Sequence, residues 1–333
     1  MISASVHSKL QSIPEVQAAI AAGTSLFLAG SREALSQLPQ GNWVGGTICY
    51  FMTDEGGLVS DDMIFATEVP EFALEARVVN YGLGNLSYLF SDAPENGFSF
   101  LVIPASTRVL KAFAEQAPTF DGFLTHPVVG WVSGVRVERI GQEMPAVFNG
   151  KTGEVMENKA VALHVTLPAN KQAELDIVNI FKGGDGDLIH FKDEGFHAVG
   201  CLINGKPANL ADYIIAKGID TEFPLVGDYC GCPVNVSIQN VDPVTHCVEL
   251  YAPVFPGIDY RFAEPVKDYA RAFAKVAGTE QTEPDFACNC ILNFLYGKLE
   301  GKKTGNVTGP ITFGEIAHQL LNQTLVRMYL RDV

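Results

Sequence analysis

One order of segments recurs three times along the chain, and it constrains the fold more than any other feature. A short apolar strand is followed by a helix with a hydroxyl cap and then by an apolar strand marked with glycine. The first instance is SLFLAGSREALSQLPQGNWVGGTICYF, residues 25–51. SLFLAG has the length and character of a buried strand. Ser31 stands where a helix needs an oxygen for its orphaned first N–H groups, and Glu33 suits the positive end of the helix dipole. Pro39 and Gly41 stop that helix, and WVGGTICYF resumes as a strand. The order returns from Phe98, with FSFLVIPA as the strand, Ser106 as the expected cap of TRVLKAFAEQ, and PVVGWVSGVRV after Pro118. It returns from Asp285, with DFACNCIL as the strand, NFLYGKLEG as the helix and NVTGPITFGEI as the glycine-bearing segment. Another apolar run (MIFATEV, PAVFNG and TLVRMYL) follows each by roughly 15–20 residues, as repeated supersecondary units require.

The middle of the chain breaks this order. KAVALHVTLPA is a strand, and AELDIVNIFKGGDGDLIHF predicts two strands about a Gly-Asp turn. Asn209 precedes a helix that Gly218 ends. CGCPVNVSIQNVDPVTHCVELYAPVF predicts strands around an Asp-Pro turn, and PVKDYARAFAKVAG an amphipathic helix ending at Gly278. EFALEARVV predicts a helix whose end is YGLGNLS. The N-terminal stretch through Gly23 predicts another amphipathic helix. Interleaved helices and strands give an α/β class with mixed sheets. At 333 residues two domains are expected. The repeats stop between Lys151 and Lys171, so the expectation is two related halves of repeated strand-helix-strand units, residues 1–160 and 161–333.

Composition narrows the function. A net charge of -15 and the lack of a Lys/Arg-rich patch exclude a general nucleic-acid binder and attraction to anionic membranes. No apolar run reaches the length of a membrane span, and the N-terminus lacks the pattern of a signal peptide. Seven cysteines without framework spacing read as reduced thiols of a cytoplasmic protein.

Several groups carry candidate chemistry. Cys230/Cys232 and Cys288/Cys290 each place two thiols on one face of a strand, and neighbouring strands would let four sulfurs meet zinc or an iron–sulfur cluster. Small buried residues are the plainer reading. Glu315 and His318 share a face if their stretch is helical. Cys290 with His318 would make a nucleophile and base. YGLGNLS lacks the strand before it and the third glycine of a dinucleotide fingerprint. Asp185, Asp187 and His190 lie in a segment without the glycine and glutamate of an EF-hand loop. Trp43, Trp131 and Tyr50 flank glycine-marked strands, as pocket walls or as core.

The strand ACNCILN, the segment TFGEI at 312–316 and NQTLV at 322–326 together resemble the C-terminal half of the FIST family, sensory domains of bacterial and archaeal signal transduction. VELYAPVFPGIDYRFAEP resembles that family's strand and Pro-Gly turn, and LPQGNWVGGTICYF the glycine-threonine strand of its N-terminal half. The positions that match are Cys290, Gly314, Glu315, Asn322 and Thr324. The family's arginine, counted from the cysteine, is Asn293 here, so that grip on an anionic ligand is missing. The resemblance implies a cytoplasmic, non-catalytic sensor of a small molecule that acts through a histidine kinase or another signalling protein. Some similar proteins bind haem, for which any histidine or cysteine here would serve as ligand. The expected ligand site lies where the two halves meet, with bare backbone at Gly46, Gly130 and Gly314 and with Thr47, Tyr50, Trp131, Cys290, Thr312, Glu315 and Asn322. A haem or zinc sensor and a cysteine-dependent enzyme are the competing readings.

Overall fold

The computed structural model describes residues 8–229, 231–277 and 282–333. Its fold is mixed α/β with several mixed sheets. The body consists of three units of one plan. The first holds β1 (Ser8–Ser12), α1 (Ile13–Ala21), β2 (Leu26–Gly30), α2 (Arg32–Leu35), β3 (Trp43–Thr47), a hairpin of β4 (Tyr50–Thr53) and β5 (Gly56–Val59), and β6 (Met63–Glu68). The second holds β7 (Glu75–Tyr81), β8 (Gly97–Pro104), α3 (Arg108–Gln116), β9 (Val128–Ser133), a hairpin of β10 (Val147–Asn149) and β11 (Glu154–Met156), and β12 (Ala160–Thr166). The third opens with β13 (Lys171–Val178) and is then interrupted by an insert. The insert holds β14 (Ile189–His190), β15 (Gly195–Ala198), β16 (Gly200–Ile203), β17 (Lys206–Asn209), α4 (Leu210–Lys217), β18 (Leu225–Tyr229), β19 (Cys232–Val236), β20 (Ile238–Asp242), β21 (Cys247–Val254), β22 (Asp259–Phe262) and α5 (Tyr269–Ala277). The unit resumes with β23 (Phe286–Cys290), α6 (Ile291–Tyr296), β24 (Gly309–Thr312), a hairpin of β25 (Glu315–Ala317) and β26 (Gln319–Leu321), and β27 (Leu325–Asp332).

Each unit builds the same sheet. Its first strand pairs antiparallel with its last. The last pairs antiparallel with the strand before the helix. That strand runs parallel to the one after the helix, as a helical crossover demands. The hairpin leaves for a neighbouring unit: β4 pairs with β24, β25 with β9, and β10 with β3. The loans run in a closed cycle of three. Two of the sheets therefore draw strands from both sides of residue 160, and three interlocked units stand where two related halves, 1–160 and 161–333, were expected. The sequence shows the three repeats, but the loans that join them are made between residues too distant for any local pattern to reveal.

At the centre, one phenylalanine from each unit closes a triangle. Phe27 and Phe100 lie 4.2 Å apart, Phe27 and Phe286 5.5 Å, and Phe100 and Phe286 5.3 Å, between ring centroids. Trp131 stacks against this triangle, 4.2 Å from Phe27. Fully buried aromatic rings of this kind contribute about 1.5–3 kcal/mol each. The expected hollow walled by bare backbone is thus filled with rings.

Local signals account for most of the ends. Ser31 Oγ accepts from Ala34 N–H, and Asn209 caps α4 through Asp212 N–H, with Gly218 left-handed at the other end. At α3 the cap is Thr107, whose Oγ1 accepts from Leu110 N–H, while the expected Ser106 sits before it at φ 58°. The helix expected at EFALEARVV is a turn over residues 71–74 followed by strand β7, because pairing along all of β12 outweighs the helix preference of its Ala and Glu residues. YGLGNLS therefore follows a strand and turns into a single 3-10 turn at Leu86–Tyr88. The strands around KGGDGD do not pair with each other, since β13 joins β27 and β14 joins β16 and β22. The N-terminal stretch contains β1 before its helix, and Gly278 lies outside the described residues. No helix among the described residues is long and apolar enough to cross a membrane.

Candidate functional site

A cavity of about 430 Å³ lies where the insert meets the second and third units. Three sources wall it. The turn from β8 into α3 supplies Ala105 to Arg108, Leu110 and Lys111, α6 supplies Ile291, Leu292 and Leu295, and the insert supplies Phe196, Leu250 and Tyr251. Val132 and Phe313 close it from below, and Asn322 is its one buried amide. Apolar surface dominates, with few polar groups, as in sites that hold small organic molecules.

The turn into α3 brings charge to one side of this space. Ser106, Arg108 and Lys111 are exposed at its rim. Lys111 lies 3.8 Å from Glu115, and Arg108 makes no ion pair among the described residues. The first N–H groups of α3 add the positive end of a helix dipole.

Asn322 is 2% exposed. Its Oδ1 accepts from Ser237 N–H at 3.0 Å, which fixes the orientation of the amide. Its Nδ2 has no partner among the described residues. The next residue, Gln323, is left-handed at φ 51° and accepts from the Ser237 hydroxyl at 2.6 Å while donating to Glu222 O at 2.9 Å. Thr324 then binds Glu315: its hydroxyl and N–H donate to Oε2 at 2.7 and 3.2 Å. The run Asn322–Thr324 thereby joins the cavity, the insert and a buried acid.

Glu315 is completely buried and its Oε1 lacks a partner among the described residues. Burial pushes its carboxyl up to about 8, against the lowering bonds from Thr324 and the Cys290 thiol. Cys288 and Cys290 share one face of β23, as expected for i and i+2; Cys288 Sγ donates to Gly130 O at 3.4 Å, and Glu315 is near enough for its charge to act on both thiols. Burial, then the charge of Glu315, raises both thiols well above the ordinary range. That is the reverse of what an activated nucleophile needs.

Of the ten sequence-predicted ligand residues, Asn322 alone lines the cavity. Thr47 Oγ1 accepts from Ala146 N–H and Tyr50 Oη from Val137 N–H, both at 2.9 Å and both buried. Trp131 belongs to the central aromatic group, and Thr312 Oγ1 donates to Gly314 O at 3.1 Å. Cys290 and Glu315 pack behind the α6 wall. A Cβ on Gly46 would lie 2.4 Å from Val102 Cγ1, and one on Gly130 would lie 1.8 Å from Leu101 O. Gly314 packs against Val132 and Leu320. These glycines let strands and side chains approach one another, and no ligand is needed to explain them.

The other candidate groups come apart. Cys232 is exposed on β19, in a different sheet from the buried β23, and Cys230 lies outside the described residues. No group of three or more His, Cys, Asp or Glu suited to a metal occurs among the described residues. Glu315 and His318 lie on an extended strand and the turn after it, with His318 at φ 59°, so they share no helical face. His318 packs on Phe123 rather than meeting Cys290. Asp187 accepts from Asn204 and Tyr213, and His190 bonds Asp259 at 2.6 Å. Among the described residues no histidine, cysteine or methionine lines the cavity, so these offer no such axial ligand to haem there.

Sequence reasoning missed two features. One is the cationic rim on α3. The other is a buried chain in which Ser99 Oγ bridges His126 Nε2 (2.9 Å) and His164 Nδ1 (2.6 Å), with Tyr81 Oη on His164 Nε2 at 2.7 Å. Burial lowers these histidines, His126 to about 4 and His164 to about 3, and Ser99 has no exposed surface. The chain is a satisfied core network. No curated protein matches the chain. Residues 11–331 match the model of a family of unknown function, DUF6976, and the chain belongs to that family.

Proposed function

We propose that this protein is a cytoplasmic, non-catalytic sensor that binds a small, largely apolar molecule in the cavity between α3, α6 and the insert. One observation carries the reading: the cavity is apolar, yet its single buried amide keeps a free N–H donor at Asn322. A buried donor without a partner is costly, and a bound acceptor removes that cost. The resemblance of the Gly-Glu-Ile and Asn-x-Thr segments to FIST sensory domains supports the same reading. Because Asn322 and Gln323 also hold the insert through Ser237, an occupant that takes up the amide favours one placement of the insert over others. Output then passes by population shift to a separate signalling partner, such as a histidine kinase.

Native mass spectrometry of freshly purified protein, with melting temperature measured against a panel of small apolar compounds, tests this. A co-purifying small molecule or a raised melting temperature is expected, and Leu295→Trp at the cavity rim should abolish either. If no compound class raises the melting temperature of the native chain, and nothing co-purifies with it, the sensor reading falls.

A further inference from the structure

The cavity has two kinds of polar group, and they lie at different depths. Arg108, Lys111 and the first turn of α3 gather positive charge at the rim, while the Asn322 amide waits inside. The chain as a whole carries -15, so its general field repels anions. Positive charge at the mouth of this apolar cavity is therefore a local departure from the protein's own balance. Arg108 spends none of its charge on an ion pair among the described residues, and the Lys111–Glu115 contact of 3.8 Å is a weak one. The helix is long enough to have a real dipole, at nine residues. A helix terminus alone would not define a site. Here the free, 2%-exposed Asn322 amide on the same cavity independently calls for an acceptor atom.

We infer that the occupant is an apolar carboxylic acid bearing a second oxygen, with its carboxylate held at Arg108 and the α3 N-terminus and its second oxygen accepting from Asn322 Nδ2. This rests on the cavity being the ligand site, and it names the class of ligand. The apolar body lies along Ile291, Leu292, Leu250 and Val132. Arginine is suited to the carboxylate because its planar fork binds both oxygens.

Isothermal titration with octanoate, octan-1-ol and 8-hydroxyoctanoate tests the inference, because the three share one chain length. Octanoate is expected to bind at least about tenfold tighter than octan-1-ol, the scale of one charge-assisted hydrogen bond. The hydroxy acid should bind no more weakly than octanoate, despite its greater hydration. Arg108→Gln should weaken both acids several-fold and leave octan-1-ol unchanged, while Leu295→Trp should weaken all three. Arg108 is exposed, so its replacement does not threaten folding. Equal binding of acid and alcohol, or acid binding that ignores Arg108→Gln, would overturn the inference while leaving the cavity reading intact. Loss of affinity on adding the terminal hydroxyl would overturn the role given to Asn322. Failure of all three probes to bind would count against the cavity itself.

Discussion

Glu315→Gln isolates the charge of a single buried acid. The native carboxyl has no exposed surface, and burial raises it from an ordinary 4.5 to about 8. In the unfolded chain it ionises near its ordinary value. Between these two points the unfolded state has released a proton that the folded state keeps, so native stability falls as pH rises. The contribution of this group is fully present below about pH 4.5, declines by about 1.4 kcal/mol per pH unit, and levels off above the folded value, a total on the order of 5 kcal/mol. Glutamine keeps the shape and still accepts from Thr324, but cannot ionise. Urea denaturation of both proteins at intervals from pH 5 to 9 gives the difference in unfolding free energy, in which the other titrating groups cancel. Relative to the variant, the native protein should lose stability steadily from pH 5 to 8 and then run level. A difference that stays flat across this window, or that rises with pH, would refute the assignment of a protonated acid to the core.

Other perturbations test the packing. Gly130→Ala should abolish soluble folded protein, since its Cβ would lie 1.8 Å from Leu101 O, whereas Gly84→Ala, with open space around it, should leave the circular dichroism unchanged and the unfolding free energy within about 1 kcal/mol of native. Ser237→Ala removes the hydroxyl that donates to buried Gln323 Oε1 and should cost about 1–3 kcal/mol in urea denaturation, with earlier proteolysis in the insert. Iodoacetamide labelling followed by peptide mapping should modify exposed Cys232 well before buried Cys288 and Cys290, and rapid labelling of Cys290 would revive a catalytic thiol. Asn209→Ala should destabilise the insert by about 1 kcal/mol through loss of the α4 cap, read as a lower denaturation midpoint.

Much of the local architecture was legible. The strand-helix-strand order was visible at all three places, because caps and apolar runs are written in neighbouring residues. What joins the units was not. Gly130 and Gly309 mark the same place in the second and third units, where a Cβ would strike the backbone oxygen of the parallel neighbour, Leu101 or Ala287. A glycine required by such an approach looks, in sequence, like one that bares backbone to a ligand, and this moved the expected site into the core. Asn322, which lines the cavity, stands out in sequence because it belongs to a recognisable segment. Arg108 and Lys111 look in sequence like ordinary charges on a helix, and Tyr251 lies in VELYAPVFPGIDYRFAEP, a strand and turn whose pattern says nothing of what it faces. Their convergence depends on the packing of α3, α6 and β21, which sequence spacing does not contain.

The cyclic exchange of hairpins has a consequence for synthesis. One edge of the strand Tyr50–Thr53 pairs at once with β5, but its other edge finds a partner only at Gly309 and Pro310, more than two hundred residues on. At about 5–20 residues per second on the ribosome, that edge waits roughly 10–50 s after it is made before its partner exists. During that interval the first unit presents an open edge, the kind of surface that recruits foreign strands. Chaperone occupancy of the nascent first unit should therefore persist until Gly309 and Pro310 emerge, and a stop codon placed just before Gly309 should yield an aggregate rather than a shorter folded protein.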